Sequence, residues 1–185
     1  MKTSLTAGND GHAEIFFATD KQPGYNGTNY FAVPVYPNGE YTVAYMELPA
    51  SVVGHTMTDI RVDPVSSGAN DNLQGSYTID YIYIGTPNRS PGNLQTYTGG
   101  HRYLLVDFSK KSPLCETSDW ITHSSTVTAD HSAGVLKGNY TAGDPYAVSV
   151  GDILYDAQKG DIVEIRIKSN ITSGNCGGLE FFYTT

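Results

Sequence analysis

The two ends of this chain carry the same segment. Lys2–Thr19 reads KTSLTAGNDGHAEIFFAT and Lys168–Thr185 reads KSNITSGNCGGLEFFYTT. The two align without a gap, with eight identical positions of 18 and mostly conservative replacements elsewhere. Self-similarity at a fixed offset is typical of a tandem array. The chain is therefore predicted to hold one period of such an array, cut inside a module so that one strand is encoded twice.

Composition narrows the possible fold and partners. The chain has 14 tyrosines and 20 glycines, and its formal net charge is −8. Aromatic and β-branched side chains favour strands, and glycines favour turns. Nucleic-acid binding requires clustered Lys and Arg, which an acidic chain with few bases does not offer. No apolar run approaches the roughly 20 residues of a membrane-spanning helix. We therefore expect neither nucleic acid nor membrane insertion.

Strand-like runs alternate with turn signals along the whole chain. The run DIVEIRIK at Asp161–Lys168 alternates most clearly, with Val163, Ile165 and Ile167 on one face, as a half-buried antiparallel strand does. No stretch shows sustained helical periodicity. The sequence therefore predicts an all-β, two-sheet antiparallel β-sandwich of jelly-roll type. The predicted strands are Ala13–Ala18, Tyr30–Val35, Tyr41–Leu48, Asp59–Val62, Ser76–Ile84, Tyr103–Asp107, Val135–Lys137, Tyr146–Val148, Asp161–Lys168 and Leu179–Tyr183.

One linker interrupts the pattern. The segment Gly85–Gly100, GTPNRSPGNLQTYTGG, is rich in Pro, Gly, Ser, Thr and Asn, which is typical of a flexible connection. Residues 1–185 are therefore predicted to form one module in permuted order. Residues 1–85 would be the C-terminal half of one repeat, 86–100 the linker, and 101–185 the N-terminal half of the next.

Several phrases resemble a known family. Thr58–Gly85 contains IRVDP and IDYIYIG, Leu104–Phe108 reads LLVDF and precedes Trp120, and DIVEIRIK follows Asp144–Tyr146 (DPY). In permuted order these phrases resemble tandem β-sandwich modules, galactose-binding-like and carbohydrate-binding-module-like, of bacterial multimodular and S-layer-type surface proteins. The resemblance implies a secreted or cell-surface location. It also implies a glycan or polysaccharide, or neighbouring copies of the module, as partners.

Aromatic side chains near loops are the candidate sugar-binding residues. The apolar face of a sugar ring can stack on an aromatic ring. The candidates are Trp120, Tyr25, Tyr97 and Tyr140. The alternative interpretation is that these rings are core or half-buried residues with a solvated hydroxyl.

A structural calcium ion is a second expectation. Ca²⁺ binds carboxylate and carbonyl oxygens, and modules of the resembled type often hold one structural ion. The resemblance indicates Asp80, Asp107 and Asp63 as ligands. The alternative is that these acids lie at turns and strand edges without a metal.

No catalytic motif is recognisable. The chain has no G-x-S-x-G elbow, HExxH or CxxC, so neither an activated nucleophile nor a catalytic zinc is indicated. We therefore expect a noncatalytic carbohydrate-binding module. The alternative is a structural spacer or filament-forming subunit joined by strand exchange between repeats. Pairing of Cys115 with Cys176 is left open, as is glycosylation of the N-x-S/T sites at Asn26, Asn88, Asn139 and Asn170.

Overall fold

The computed structural model describes residues 12–34, 39–65, 72–86, 103–109, 114–150 and 153–173. These residues form twelve strands and a single turn of 3-10 helix at Thr117–Asp119, with no α-helix among them. The strands are β1 (His12–Thr19), β2 (Tyr30–Pro34), β3 (Thr42–Glu47), β4 (Thr56–Asp63), β5 (Gln74–Gly85), β6 (Tyr103–Asp107), β7 (Trp120–His123), β8 (Ser125–Asp130), β9 (Val135–Tyr140), β10 (Tyr146–Ser149), β11 (Tyr155–Asp156) and β12 (Ile162–Ser173). The predicted all-β class is confirmed.

The strands form two antiparallel sheets. The first sheet has the order β2-β1-β4-β10-β7, and β11 also pairs with β4. The second sheet has the order β3-β12-β5-β9-β8, and β6 also pairs with β5. Each sheet combines strands from residues 12–86 with strands from residues 103–173. The two flanks of the predicted linker therefore build one sandwich together.

The core lies between the two sheets and follows the alternation read from the sequence. In β1, Ala13, Ile15 and Phe17 are fully buried; in β12, Val163, Ile165 and Ile167 are fully buried. Burying a large apolar side chain contributes about 1.5–3 kcal/mol. The predicted inward face of β12 is confirmed.

Three of these strands, β7, β8 and β11, are not among those that the sequence predicts. The polar segment around Ser124 forms β7 and β8, which belong to different sheets. Ser124 lies between them with φ 49°, and its carbonyl accepts hydrogen bonds from the N–H groups of Thr141 and Ala142. The chain therefore crosses from one sheet to the other at this residue.

Two glycines lie where no side chain fits. The Cβ of an alanine at Gly138 would lie 2.1 Å from Cζ of Tyr77, because Gly138 pairs with Tyr77 across β9 and β5. Gly75 has φ +135°, and a Cβ there would lie 2.0 Å from the backbone oxygen of Asn170. Both sites therefore require the absence of a side chain.

The duplicated segment is divided between the sheets. The N-terminal copy supplies β1, which pairs with both β2 and β4 in the first sheet. The C-terminal copy begins inside β12, where residues 168–173 pair with β5 in the second sheet. The predicted strand Leu179–Tyr183 lies outside the described residues.

Candidate ligand-binding face

A row of planar side chains crosses the outward face of the first sheet. Phe16 stacks on Tyr30 at 5.1 Å between ring centroids, and His123 stacks on Tyr146 at 5.0 Å. The guanidinium of Arg61 lies between these pairs, 5.1 Å from the Phe16 centroid and 3.9 Å from the Tyr146 centroid. The five side chains form one continuous row over five strands. We call it the Arg61 row.

Strand register explains the row. Phe16 pairs with Tyr30 on one side and with Arg61 on the other. Tyr146 pairs with His123, and Arg61 pairs with Val148, so Tyr146 is the diagonal neighbour of Arg61. Opposite and diagonal side chains on one face of a sheet are within reach of each other. The row therefore follows from the strand order and from the alternation of side chains between the two faces of the sheet.

Carboxylates surround Arg61. Its Nε and Nη2 both donate to Asp63, at 2.6 Å each, and Nη2 lies 3.8 Å from Oδ1 of Asp144. Glu14 pairs with Asp63 across β1 and β4. Burial lowers the pKa of Arg61, but the hydrogen bonds and charge of Asp63 outweigh it, so the pKa is raised overall. Arg61 is thus a fixed cation in an otherwise acidic surface.

Asp63 makes the stability of this face depend on pH. Burial raises its pKa from 3.8 to about 6, against the opposing effect of Arg61. Between these values the native state holds a proton that the unfolded state does not. The free energy of unfolding should therefore rise as the pH falls from 7 to 4, with a contribution from Asp63 of up to about 3 kcal/mol. Urea unfolding of the wild type and Asp63→Asn across this range measures the effect. The Asn variant should lack this component, and identical pH profiles would contradict the assignment.

One predicted sugar-binding residue lies near the row. Tyr25 is half-buried, and the pKa of its hydroxyl is raised by burial and then by the charge of Asp59, while Arg61 lowers it. Asp59 precedes Arg61 by two residues on β4, on the same face. Tyr25 and Asp59 therefore extend the polar surroundings of the row.

Two other predicted sugar-binding residues are core residues. Trp120 is 5% exposed, its ring lies 6.4 Å from that of Phe108, and its Nε1–H donates to the Leu114 carbonyl at 2.9 Å. Tyr140 is also 5% exposed, and its hydroxyl is 2.8 Å from Oγ of Ser169. Neither ring presents a face to solvent, so both are left out of the proposed site. Tyr97 lies outside the described residues.

The three predicted calcium ligands are not gathered into one site. Asp63 is on the first sheet and is paired with Arg61. Asp80 is on the second sheet and forms an ion pair with Arg166. Asp107 accepts hydrogen bonds from the N–H (2.9 Å) and hydroxyl (2.6 Å) of Ser109. Among the described residues, no group of three or more His, Cys, Asp or Glu side chains could hold a metal.

Only one of the two cysteines lies among the described residues. Cys115 is 3% exposed and forms no disulfide with any described residue. Cys176 lies outside the described residues, so pairing between them stays an open prediction.

Comparison with known proteins adds no assignment. A scan against protein-family models finds no match, and a search of curated proteins finds none. In the described part of the chain, no helix is long and apolar enough to cross a bilayer. The geometry of the Arg61 row is therefore the main guide to function.

Proposed function

We propose that this chain is a noncatalytic carbohydrate-binding module of a secreted or cell-surface repeat protein, and that the Arg61 row is its binding face. The observation that carries the proposal is the continuous row itself. Four rings and one arginine cross five strands on the outward side of a sheet. A soluble domain gains little core stability from aromatic rings on its outer face, whereas ligand recognition uses them directly.

The two ends of the row are the stacking positions. Inside the row, the faces of Phe16 and Tyr146 are covered on both sides by their neighbours. Tyr30 lies on β2 and His123 on β7, the two edge strands of the first sheet's main order. Each end ring therefore has one face directed away from the row, against which the C–H face of a sugar can pack.

The middle of the row supplies hydrogen bonds. Arg61 uses Nε and Nη2 for Asp63, which leaves its Nη1 as a donor without a partner among the described residues. The Asp144 side chain is 43% exposed and Glu14 20% exposed, so their carboxylates can accept hydrogen bonds from sugar hydroxyls. Three acids around one arginine, in a chain of net charge −8, disfavour an anionic ligand. A neutral glycan fits this surface best.

Affinity electrophoresis tests the proposal. The wild type should be retarded in gels that contain a soluble neutral polysaccharide such as xylan, mixed-linkage β-glucan or galactomannan. His123→Ala removes one end ring, which is exposed and outside the core. It should weaken binding about five- to tenfold without a change in Tm, since one stacked ring contributes about 1 kcal/mol.

Tyr45→Ala is the matched control. Tyr45 is 69% exposed and lies on β3 of the other sheet, so its loss should leave retardation unchanged. Equal effects of the two variants would show that the Arg61 row is not the binding face. Absence of retardation with every neutral and acidic polysaccharide would contradict glycan binding itself.

A structural role is the second candidate function. The duplicated segment favours it, because residues 178–185 align with His12–Thr19, which forms β1. A spacer or filament-forming subunit joined by strand exchange between repeats would use this surplus strand.

A further inference from the structure

We propose that the position of β1 in the first sheet has a second occupant, the segment Gly178–Thr185 of the same chain. The segment aligns with His12–Thr19 without a gap at an offset of 166, with three of the eight positions identical. The inference does not depend on glycan binding, because it rests on the repeat and on the pairing of β1 and β12.

The repeat preserves the outward contacts of β1. Phe16, which contacts Tyr30 and Arg61, corresponds to Phe182. Glu14, which pairs with Asp63, corresponds to Glu180. The second segment therefore carries the side chains needed to rebuild the Arg61 row.

The inward positions of the second copy carry larger side chains, and one of them adds a hydroxyl, because fully buried Phe17 corresponds to Tyr183. Fully buried Ala13 and Ile15 correspond to Leu179 and Phe181. Extra volume in a packed core costs stability. His12–Thr19 is therefore the better-fitting occupant, which agrees with its place in the structure, and Gly178–Thr185 is the weaker one.

The second segment can reach the position. β12 ends at Ser173, which pairs with Gln74 at the start of β5. β1 begins near the end of β4, since Glu14 pairs with Asp63. The β4–β5 connection joins these points, so both lie at the same end of the sandwich. Packed sheets are about 10 Å apart, and the four residues between Ser173 and Gly178 span up to about 13 Å.

Aspartate substitutions in His12–Thr19 and in Gly178–Thr185, made singly and together in the full chain, test whether the second segment can replace the first. Ile15→Asp disables the first occupant, because Ile15 is fully buried. We expect this variant to fold as a monomer with cooperative unfolding and a Tm lowered by about 5–15 °C, because Gly178–Thr185 takes over. Phe181→Asp alone should leave Tm unchanged, and the double variant should not fold.

Ile60→Asp is the matched control. Ile60 pairs with Phe17, is also fully buried and has no second copy in the chain, so this variant should not fold. If Ile15→Asp is as unfolded as Ile60→Asp, the segment Gly178–Thr185 cannot occupy the position and the proposal fails. If Ile15→Asp folds only as a dimer, the occupant comes from a second copy and the same-chain source is wrong.

Limited proteolysis gives an independent readout. In the wild type, the bonds after Phe16 and Phe17 lie in a central strand and should resist chymotrypsin. In Ile15→Asp the displaced strand should be cut there while the rest of the domain stays intact. Protection of these bonds in a folded Ile15→Asp variant would overturn the exchange.

Discussion

Gly138→Val is expected to unfold the domain. The first added carbon would lie 2.1–2.6 Å from three ring atoms of Tyr77. Tyr77 is 1% exposed and packs against Tyr140 at 5.3 Å between centroids, so the ring has no space into which to move. Overpacking of this degree in a close-packed interior should cost more than about 4 kcal/mol of unfolding free energy. Urea unfolding followed by circular dichroism measures the loss.

Three further variants identify the cause of that loss. Gly27→Ala, where an added Cβ meets nothing within 4 Å, should leave stability almost unchanged. Tyr77→Ala alone should cost about 3–5 kcal/mol, but adding Gly138→Ala to it should cost little more, because the ring is gone. Additive losses in the double variant would contradict a direct clash between Tyr77 and residue 138.

Gly75→Ala is the second large expected effect. Its Cβ would lie 2.0 Å from the Asn170 carbonyl oxygen and 2.9 Å from Cα of Ile171. Both contacts are backbone atoms of a paired strand, so relief requires separating β5 from β12 at the irregularity where Ile171 pairs with Gly75 and Ser173 with Gln74. We expect a loss of about 2–4 kcal/mol and faster amide exchange at residues 170–172.

Gly54→Ala separates the clash from backbone strain. Gly54 also has positive φ, at 83°, but an added Cβ there meets open space. Only a strain of about 1 kcal/mol is expected at this position. Equal losses at Gly54 and Gly75 would show that φ, rather than the close approach to β12, determines the effect.

The sequence predicted the sandwich well where apolar residues alternate. The inward residues of β12 and the apolar centre of β1 were readable because burial on one face imposes a period of two. β7 and β8 were missed because the run of Ser and Thr after Ile121 has few apolar residues, although Val127 and Ala129 do alternate with Thr126 and Thr128. Thr is a strand-favouring residue, and that signal could have been used.

The Arg61 row could not be predicted from the sequence. Its members come from five strands, and the order β2-β1-β4-β10-β7 that joins them leaves no mark in local residue patterns. Tyr30 is one of 14 tyrosines in the chain, whereas Trp120 is its single tryptophan. Rarity does not distinguish a ligand-facing indole from a core one, and here the inward position of Trp120 on β7 decides the matter.

Because each sheet combines strands from both sides of residues 86–103, the order of synthesis determines when each strand can pair. Among the described strands, β5 pairs only with β6, β9 and β12, all of which lie beyond residue 102. β3 pairs with β12 alone. During translation β5 therefore has no partner until β6 has been made, and β3 has none until β12, the last described strand, has left the ribosome. Such distant pairings slow folding and leave strand edges exposed meanwhile. Because both sheets combine strands from the two sides of residues 86–103, we expect chains divided there to complement each other without a covalent link.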